Sequence, residues 1–282
     1  MPEKALSRLE TDNGKALAAA DDESFSGRQF ITALARGLDV LAAFRAGDPS
    51  LSNLELAKRC QLPRSTISRL TQTLTDLGYL NYHEGFGCYE LGGAMLSLGH
   101  VARESYHALE QARPIMMGLA ELSNANVGIG IRDRLTMVYL TVCPPPIGIG
   151  LRFQPGSKVP IMQTAMGLAY LASRSPAELK ALGPRLLKKN ERDTASVTGT
   201  IQAAQEEYRR HGFCSSVGKW YEDVNGIAAP IPWTAVADTL VLNCGAPSAL
   251  MPKEHMLEEI GPRLVSAAAA IADMLKASAP AA

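Results

Sequence analysis

The sequence predicts an α+β protein in two parts. An N-terminal helical domain ends in a two-stranded wing, and a linker helix joins it to a domain built on a mainly antiparallel sheet. Three observations predict this. Residues 51–92 read as two short helices and a Gly-tipped hairpin, and residues 94–123 keep a helical period. Beyond residue 124, strand pairs come first, then helices, then strands again, an order that belongs to α+β domains.

The first 26 residues are polar and charged without sustained period, as a mobile tail would be. Ile31, Leu34, Leu38 and Leu41 then form one helical stripe, closed by Gly47-Asp48-Pro49, so the first domain is expected over residues 27–91. Ser52 followed by Glu55 is a capping box that starts the next helix, with Leu54, Ala57 and Leu62 as its core face. Pro63 suits a first helical position, because the N–H it lacks would have no partner there. From it Ile67, Leu70, Leu74 and Leu77 recur on one helical face, and Gly78 stops the helix as a left-handed cap. Tyr79 to Tyr82 lead into a hairpin with Glu84-Gly85-Phe86-Gly87 at its tip, returning through Tyr89 and Leu91.

Opposite the apolar stripe of the second helix stand Ser65, Ser68, Arg69 and Gln72, with Arg64 and Thr71 at its flank. Hydroxyls, an amide and guanidinium groups are the chemistry that pairs with phosphate oxygens and base edges. Two such helices followed by a wing have few uses other than entering the major groove of DNA. Arg69 and Gln72 are the candidates for base contact. Arg64, Ser65, Thr66 and Ser68 fall mostly to phosphates, and the wing from His83 to Gly87 to backbone or minor groove.

Composition narrows the partners. Twenty-eight basic residues balance 28 acidic ones, so affinity for nucleic acid must come from a local patch. Lys58, Arg59, Arg64 and Arg69 form one, with no acid between Leu56 and Thr75. The five cysteines, Cys60, Cys88, Cys143, Cys214 and Cys244, are scattered and never in C-x-x-C spacing, which argues against a disulfide framework or zinc site. No apolar stretch is long enough to span a bilayer, and no signal-peptide pattern opens the chain. A cytoplasmic protein with no membrane partner is expected.

The linker region is assigned to residues 92–123. Met95, Leu98, Ala102, Leu109, Ile115, Met116, Leu119 and Leu122 carry its helical pattern, interrupted near Pro114, and its apolar side can seal a dimer. His100, Glu104 and His107 have metal-ligand spacing on the other side, where a solvated face is the expected reading.

In the second domain, residues 124–277, Val127 to Ile131 and Leu135 to Val142 are a strand pair with Arg132-Asp133-Arg134 as turn. Thr164 to Ala172 is helical, Ser175-Pro176-Ala177-Glu178 caps another helix, and Thr198 to His211, stopped by Gly212, is a third. Phe213 to Val217, Gly226 to Ile231 and Thr239 to Cys244 are strands, and Pro252 to Ala277 closes the fold as a helix.

These motifs resemble a known family. Glu55-Leu56-Ala57, Leu62-Pro63-Arg64-Ser65-Thr66, Arg69-Leu70 and Gly78-Tyr79-Leu80 come in order, followed by a wing with Gly87, Tyr89, Leu91 and Gly92. Together they closely resemble the winged helix-turn-helix of IclR-type bacterial transcription regulators. Arg36-Gly37-Leu38-Asp39-Val40-Leu41 resembles the family's first helix, which adds Arg36 to the DNA-contact candidates. Lys158-Val159-Pro160 through Thr164-Ala165-Met166-Gly167, His211-Gly212-Phe213 and Gly226-Ile227-Ala228-Ala229-Pro230 extend the likeness to about residue 250.

The resemblance implies that the second domain is GAF-like and encloses a small metabolite. The family's pocket positions fall on Gly148, Leu151, Ala165, Met166, Ser216, Val224, Gly226, Leu242 and Cys244. Members commonly carry His where Met162 stands, Lys where Leu168 stands, and in some cases an acid at Ser216. The first two changes remove polarity, so an aromatic or otherwise hydrophobic carboxylate or phenol is the effector class expected.

Catalysis is not indicated. Gly-x-Ser-x-Gly and Gly-rich phosphate loops are absent, and Cys214 near His211 has no third group to orient a base. No catalytic residue, metal or cofactor is assigned. The function expected is a homodimeric or homotetrameric regulator that binds double-stranded DNA at a pseudo-palindromic operator and answers to a small-molecule effector. The alternative is a ligand-binding module whose winged domain docks protein. The zero net charge and a wing with Glu84 and no Lys or Arg from Asn81 to Cys88 favour that alternative.

Overall fold

The computed structural model describes residues 30–146, 151, 153–190, 194–233 and 238–278. The expected tail over residues 1–26 and the pocket position Gly148 lie outside them. The chain forms two compact units, one ending at Ser105 and the other beginning at Tyr106.

In the first unit α1 (Thr32–Ala42), α2 (Asn53–Cys60) and α3 (Arg64–Asp76) pack on a three-stranded antiparallel sheet of β1 (Leu51–Ser52), β2 (Leu80–His83) and β3 (Cys88–Leu91), in the order β1-β3-β2. The capping box at α2 is complete: Glu55 N–H donates to Ser52 Oγ, and Ser52 N–H to Glu55 Oε2 at 2.9 Å. Gly78 takes a φ of 76°, which lets Tyr79 N–H reach the Leu74 carbonyl and end α3.

The core of this unit is Val40, Leu51, Leu56, Ala57, Ile67, Leu74 and Leu80. Three expectations fail here. On α1 the buried residue is Val40, while Ile31, Leu34 and Leu38 are more than half exposed. On α2 Leu56 is buried, and Leu54 faces outward. On α3 Leu77 is 62% exposed, beyond the reach of the small core. After β3, α4 (Gly93–Glu104) buries none of its residues.

The second unit is a six-stranded antiparallel sheet in the order β6-β5-β4-β9-β8-β7. Its strands are β4 (Asn126–Asp133), β5 (Thr136–Cys143), β6 (Lys158–Pro160), β7 (Cys214–Val217), β8 (Val224–Pro230) and β9 (Val241–Pro247). The β4–β5 turn is tighter than expected, at Arg134 in left-handed backbone, so Arg132 and Asp133 belong to the strand. β6 was not foreseen as a strand. It pairs with β5 at the sheet edge.

One face of the sheet is covered by α6 (Ala165–Ala172) and α8 (Thr194–His211), with α7 (Pro176–Asn190) packed on α8. The other face is covered by α5 (Arg113–Ser123) and the C-terminal helix. That helix runs from α9 (Lys253–His255) through one wide turn (Met256–Ile260) into α10 (Gly261–Ser278). Pro114 lies in the first turn of α5 rather than interrupting a longer helix, as suits a residue without an N–H. The helical run breaks earlier, after Glu104, and resumes as a tight turn at His107–Ala112. His107 is therefore off the helix that carries His100 and Glu104.

The two faces hold separate cores. Val127, Ile129, Ile227, Leu242, Cys244, Ile260 and Leu264 meet on the α5–α10 side. Met137, Tyr139, Val159, Met166, Leu171 and Val241 meet under α6. α6 enters the fold at Thr164, whose hydroxyl accepts from Gly167 N–H and donates to the Pro160 carbonyl at 2.8 Å. A Cβ on Gly167 would stand 2.0 Å from the Ile161 carbonyl oxygen, so only glycine permits this approach. Gly167→Ala should therefore destabilise the second unit by about 3 kcal/mol or more, seen as a lowered urea midpoint. An unchanged midpoint would show that α6 does not sit this close.

Candidate functional sites

On α3, Ile67, Thr71 and Leu74 are buried, and Arg64, Ser65, Ser68, Arg69 and Gln72 are exposed along the other side. Thr66 is half-buried between the two. Thr71 was placed at the flank of the polar face. Instead it is fully buried, with its hydroxyl donating to the Ile67 carbonyl at 3.0 Å. A back-bonded threonine is apolar on its outer side and suits a core position.

Several polar groups of this face are held by neighbours. Asn53 Nδ2 donates to Ser68 Oγ at 2.9 Å, and Gln72 Nε2 to Asp76 Oδ1 at 2.8 Å. Arg59 is not available as a surface cation. Its guanidinium grips Asp48 with both nitrogens and donates to the Ala43 carbonyl, tying α2 to the segment after α1. That grip holds the Asp48 carboxyl below its usual range. Among the described residues Lys58, Arg64 and Arg69 are paired with no carboxylate. Arg36 on α1 is half-buried. On the wing, His83 lies 3.1 Å from Glu90, and Phe86 is 86% exposed at the tip.

In the second unit a pocket opens between the sheet and the start of α6. It is lined by Tyr139, Leu151, Phe153, Val159, Thr164, Ala165, Met166, Ser216, Trp220, Val224, Asn225, Gly226, Asn243 and Gly245, and holds about 370 Å³ of atom-free space including its mouth. Its floor is made by missing side chains. Gly226 and Gly245 lie on neighbouring strands, and beside the pocket the Tyr139 ring crosses over Gly128, where any Cβ would stand 2.6 Å from it. Its wall is aromatic. Tyr139 stacks on Phe153 with centroids 4.7 Å apart, and Phe153 faces Trp220 at 6.0 Å.

The polar groups around it are neutral. Ser216 Oγ donates to the Gln163 carbonyl at 2.6 Å, Asn225 Nδ2 to the Met251 carbonyl at 2.9 Å, and Asn243 Nδ2 to the Tyr139 hydroxyl at 3.1 Å. Among the described lining residues none is charged. Ala165 and Met166 belong to the first turn of α6, where backbone N–H groups lack intrahelical acceptors.

Of the expected pocket residues, the structure brings together Leu151, Ala165, Met166, Ser216, Val224 and Gly226. Leu242 and Cys244 share a face as expected, but it is the opposite one. They pack in the α5–α10 core, where burial pushes the Cys244 thiol to about 11. The pocket side of β9 is Asn243 and Gly245. Tyr139, Phe153 and Trp220 were missed as well. The signal for β9 was available, since Asn243 and Gly245 are the polar and small positions alternating with Leu242 and Cys244. Met162 and Leu168 are buried in the core rather than in the pocket wall. Cys214 donates to the Ala204 carbonyl and His211 stacks on Phe213, so the two do not meet. Among the described residues no three His, Cys, Asp or Glu side chains converge to hold a metal.

Comparison with known proteins covers both units. The IclR helix-turn-helix domain matches residues 33–84, and the bacterial transcriptional regulator IclR C-terminal domain matches residues 100–273. The HTH-type transcriptional regulator TsaQ1/TsaQ2 of Comamonas testosteroni is 31% identical over 90% of this chain and 92% of its own. A crystal structure of an IclR family transcriptional regulator from Brucella abortus superposes with a TM-score of 0.79 at 35% identity, over 94% of this chain and 98% of that one. An IclR homolog from Microbacterium hydrocarbonoxydans, crystallised with 4-hydroxybenzoate, shares the fold. Its TM-score is 0.66 at 20% identity, over 87% of this chain and all of that one.

Proposed function

The chain belongs to the IclR family of bacterial transcriptional regulators, and we propose that a small aromatic acid or phenol in the second-unit pocket controls its grip on an operator. As a family member it is a DNA-binding regulator with an effector-binding C-terminal domain, and not an enzyme. The observation that carries the effector class is the wall of Tyr139, Phe153 and Trp220 over a glycine floor, with neutral hydrogen-bonding groups alone among the described lining. A flat ring can lie against such a wall and bury a face there, whereas a compact aliphatic acid leaves the wall wet. The Microbacterium homolog was crystallised with 4-hydroxybenzoate, and at its low identity the case for this chain rests on its own pocket.

For DNA contact we infer that Arg69 and Gln72 meet base edges, with Arg64, Ser65, Thr66 and Ser68 on phosphates. His83 touches the backbone from the wing, and Arg36 touches it from α1. The support is the exposed polar side of α3 and its free guanidinium groups. A dimer is the natural assembly. Ile31, Leu34 and Leu38 on α1 and Leu96, Leu98 and Val101 on α4 are all more than half exposed, more apolar surface than a small unit leaves open without a partner. A second copy seated there gives two-fold symmetry and hence a pseudo-palindromic operator. No helix among the described residues is long and apolar enough to cross a membrane, and we place the protein in the cytoplasm.

Two measurements test this reading. In gel-shift titrations Arg69→Ala should relax specificity at one position per half-site, since a bidentate arginine–guanine contact is worth about 1–3 kcal/mol. Arg64→Ala should weaken all sequences alike, and no effect from either would remove α3 as the reading helix. Calorimetry with benzoate, phenylacetate and 4-hydroxybenzoate against acetate and glyoxylate should show heats for the aromatic set. Binding by the aliphatic acids alone would overturn the effector class.

A further inference from the structure

The pocket contains a polar pair whose hydrogen-bonding capacity is not all spent among the described residues. Tyr139 on β5 is 3% exposed and Asn243 on β9 is 6% exposed, and they meet across β4. They can meet because Gly128, which stands directly opposite Asn243 in the β4–β9 register, has no side chain. The Tyr139 ring lies over that glycine and delivers its hydroxyl to Asn243 Nδ2 at 3.1 Å.

Together the two side chains hold three polar hydrogens, one O–H and two N–H, and their mutual bond uses one. Whichever way round the amide lies, two donors are left over. Neither side chain makes another hydrogen bond among the described residues. Both line the pocket. Buried donors left without acceptors are costly, so a pair of this kind calls for a partner in the cavity. Burial, with the nearby Cys244 adding to it, pushes the Tyr139 phenol well above its usual range and keeps the proton on its oxygen.

Resting on the aromatic-effector reading, we propose that the Tyr139–Asn243 pair is the specificity head of the pocket, donating to a carboxylate oxygen of the ligand whose ring lies against Phe153 and Trp220. Two of the unmatched groups are donors, against one amide oxygen, so a ligand group with two acceptor oxygens complements the pair better than a donor does. A carboxylate offers two oxygens and accepts more strongly than an alcohol or ether. The first turn of α6, with Ala165 and Met166 on the same pocket, adds backbone N–H groups of the same polarity. The selectivity therefore comes from neutral donors in an apolar slot.

The test uses the full-length protein, benzoate, and toluene as the same ring without the acid, with affinities from calorimetry. Wild-type protein should prefer benzoate. Tyr139→Phe removes one oxygen, and should weaken benzoate about 10-fold or more while leaving toluene within about twofold. Asn243→Ala, whose loss frees the phenol to rotate, should do the same more mildly, with circular dichroism confirming that both variants fold. Equal weakening of both ligands would assign the pair to pocket shape alone and overturn the proposal, as would unchanged benzoate affinity in Tyr139→Phe. Should wild-type protein bind toluene but not benzoate, the donor head is wrong and the aromatic slot stands. If it binds neither these nor the other aromatic acids, the effector class falls and the proposal falls with it.

Discussion

The close approach that missing Cβ atoms permit is the constraint on which the second unit depends. Gly128 lets the Tyr139 ring cross β4, and Gly167 brings α6 down onto Ile161. Gly226 and Gly245, on adjacent strands, leave what a well-packed interior excludes, a space between helix and sheet. The space survives because stiff groups surround it. Tyr139 and Phe153 stack, Thr164 fixes the start of α6 through two hydrogen bonds, and Ser216 anchors β7 to the Gln163 carbonyl.

The first unit solves a different problem with fewer residues. Its core of seven buried apolar side chains fixes α3 by Ile67 and Leu74 and leaves the opposite side entirely polar. The Arg59–Asp48 grip and the Ser52–Glu55 box hold α2 in place, and among the described residues Lys58, Arg64 and Arg69 have no carboxylate partner. The proposed contact with DNA therefore rests on a local patch of an otherwise neutral chain. Leu34 and Leu38 on α1 and Leu96, Leu98 and Val101 on α4 stay exposed among the described residues, which is the physical reason to propose that the unit works in pairs.

How legible each feature was in the sequence follows from how strongly one residue type dictated it. The caps at Ser52 and Ser175 and the stop at Gly78 rest on backbone chemistry that few residues can supply, whereas Pro114, read as an interruption, opens α5. The helices were placed accordingly. Hydrophobic stripes misled on α1 and at Leu77, because periodicity marks an apolar face and not how far the small core reaches along it. On β9 the ambiguity was of another kind. Both faces of that strand are buried, so hydrophobicity does not distinguish them, and a shift of one residue exchanges every side chain between faces. Leu242 and Cys244 were placed in the pocket where Asn243 and Gly245 stand. The aromatic wall was invisible for a related reason: Tyr139, Phe153 and Trp220 are far apart in sequence and meet only once the sheet has formed.

A regulator of this construction must make occupancy of the pocket felt at α3, and that coupling is measurable directly. Operator affinity of the full chain, followed by fluorescence anisotropy during titration with the tightest-binding aromatic acid, should shift by about 5- to 150-fold and saturate as the pocket fills. The shift should vanish in Gly226→Val, whose added methyl groups occupy the floor while its Cβ makes only ordinary contact with Ala165. An operator affinity that stays constant while calorimetry shows the pocket filled would contradict a ligand-responsive switch.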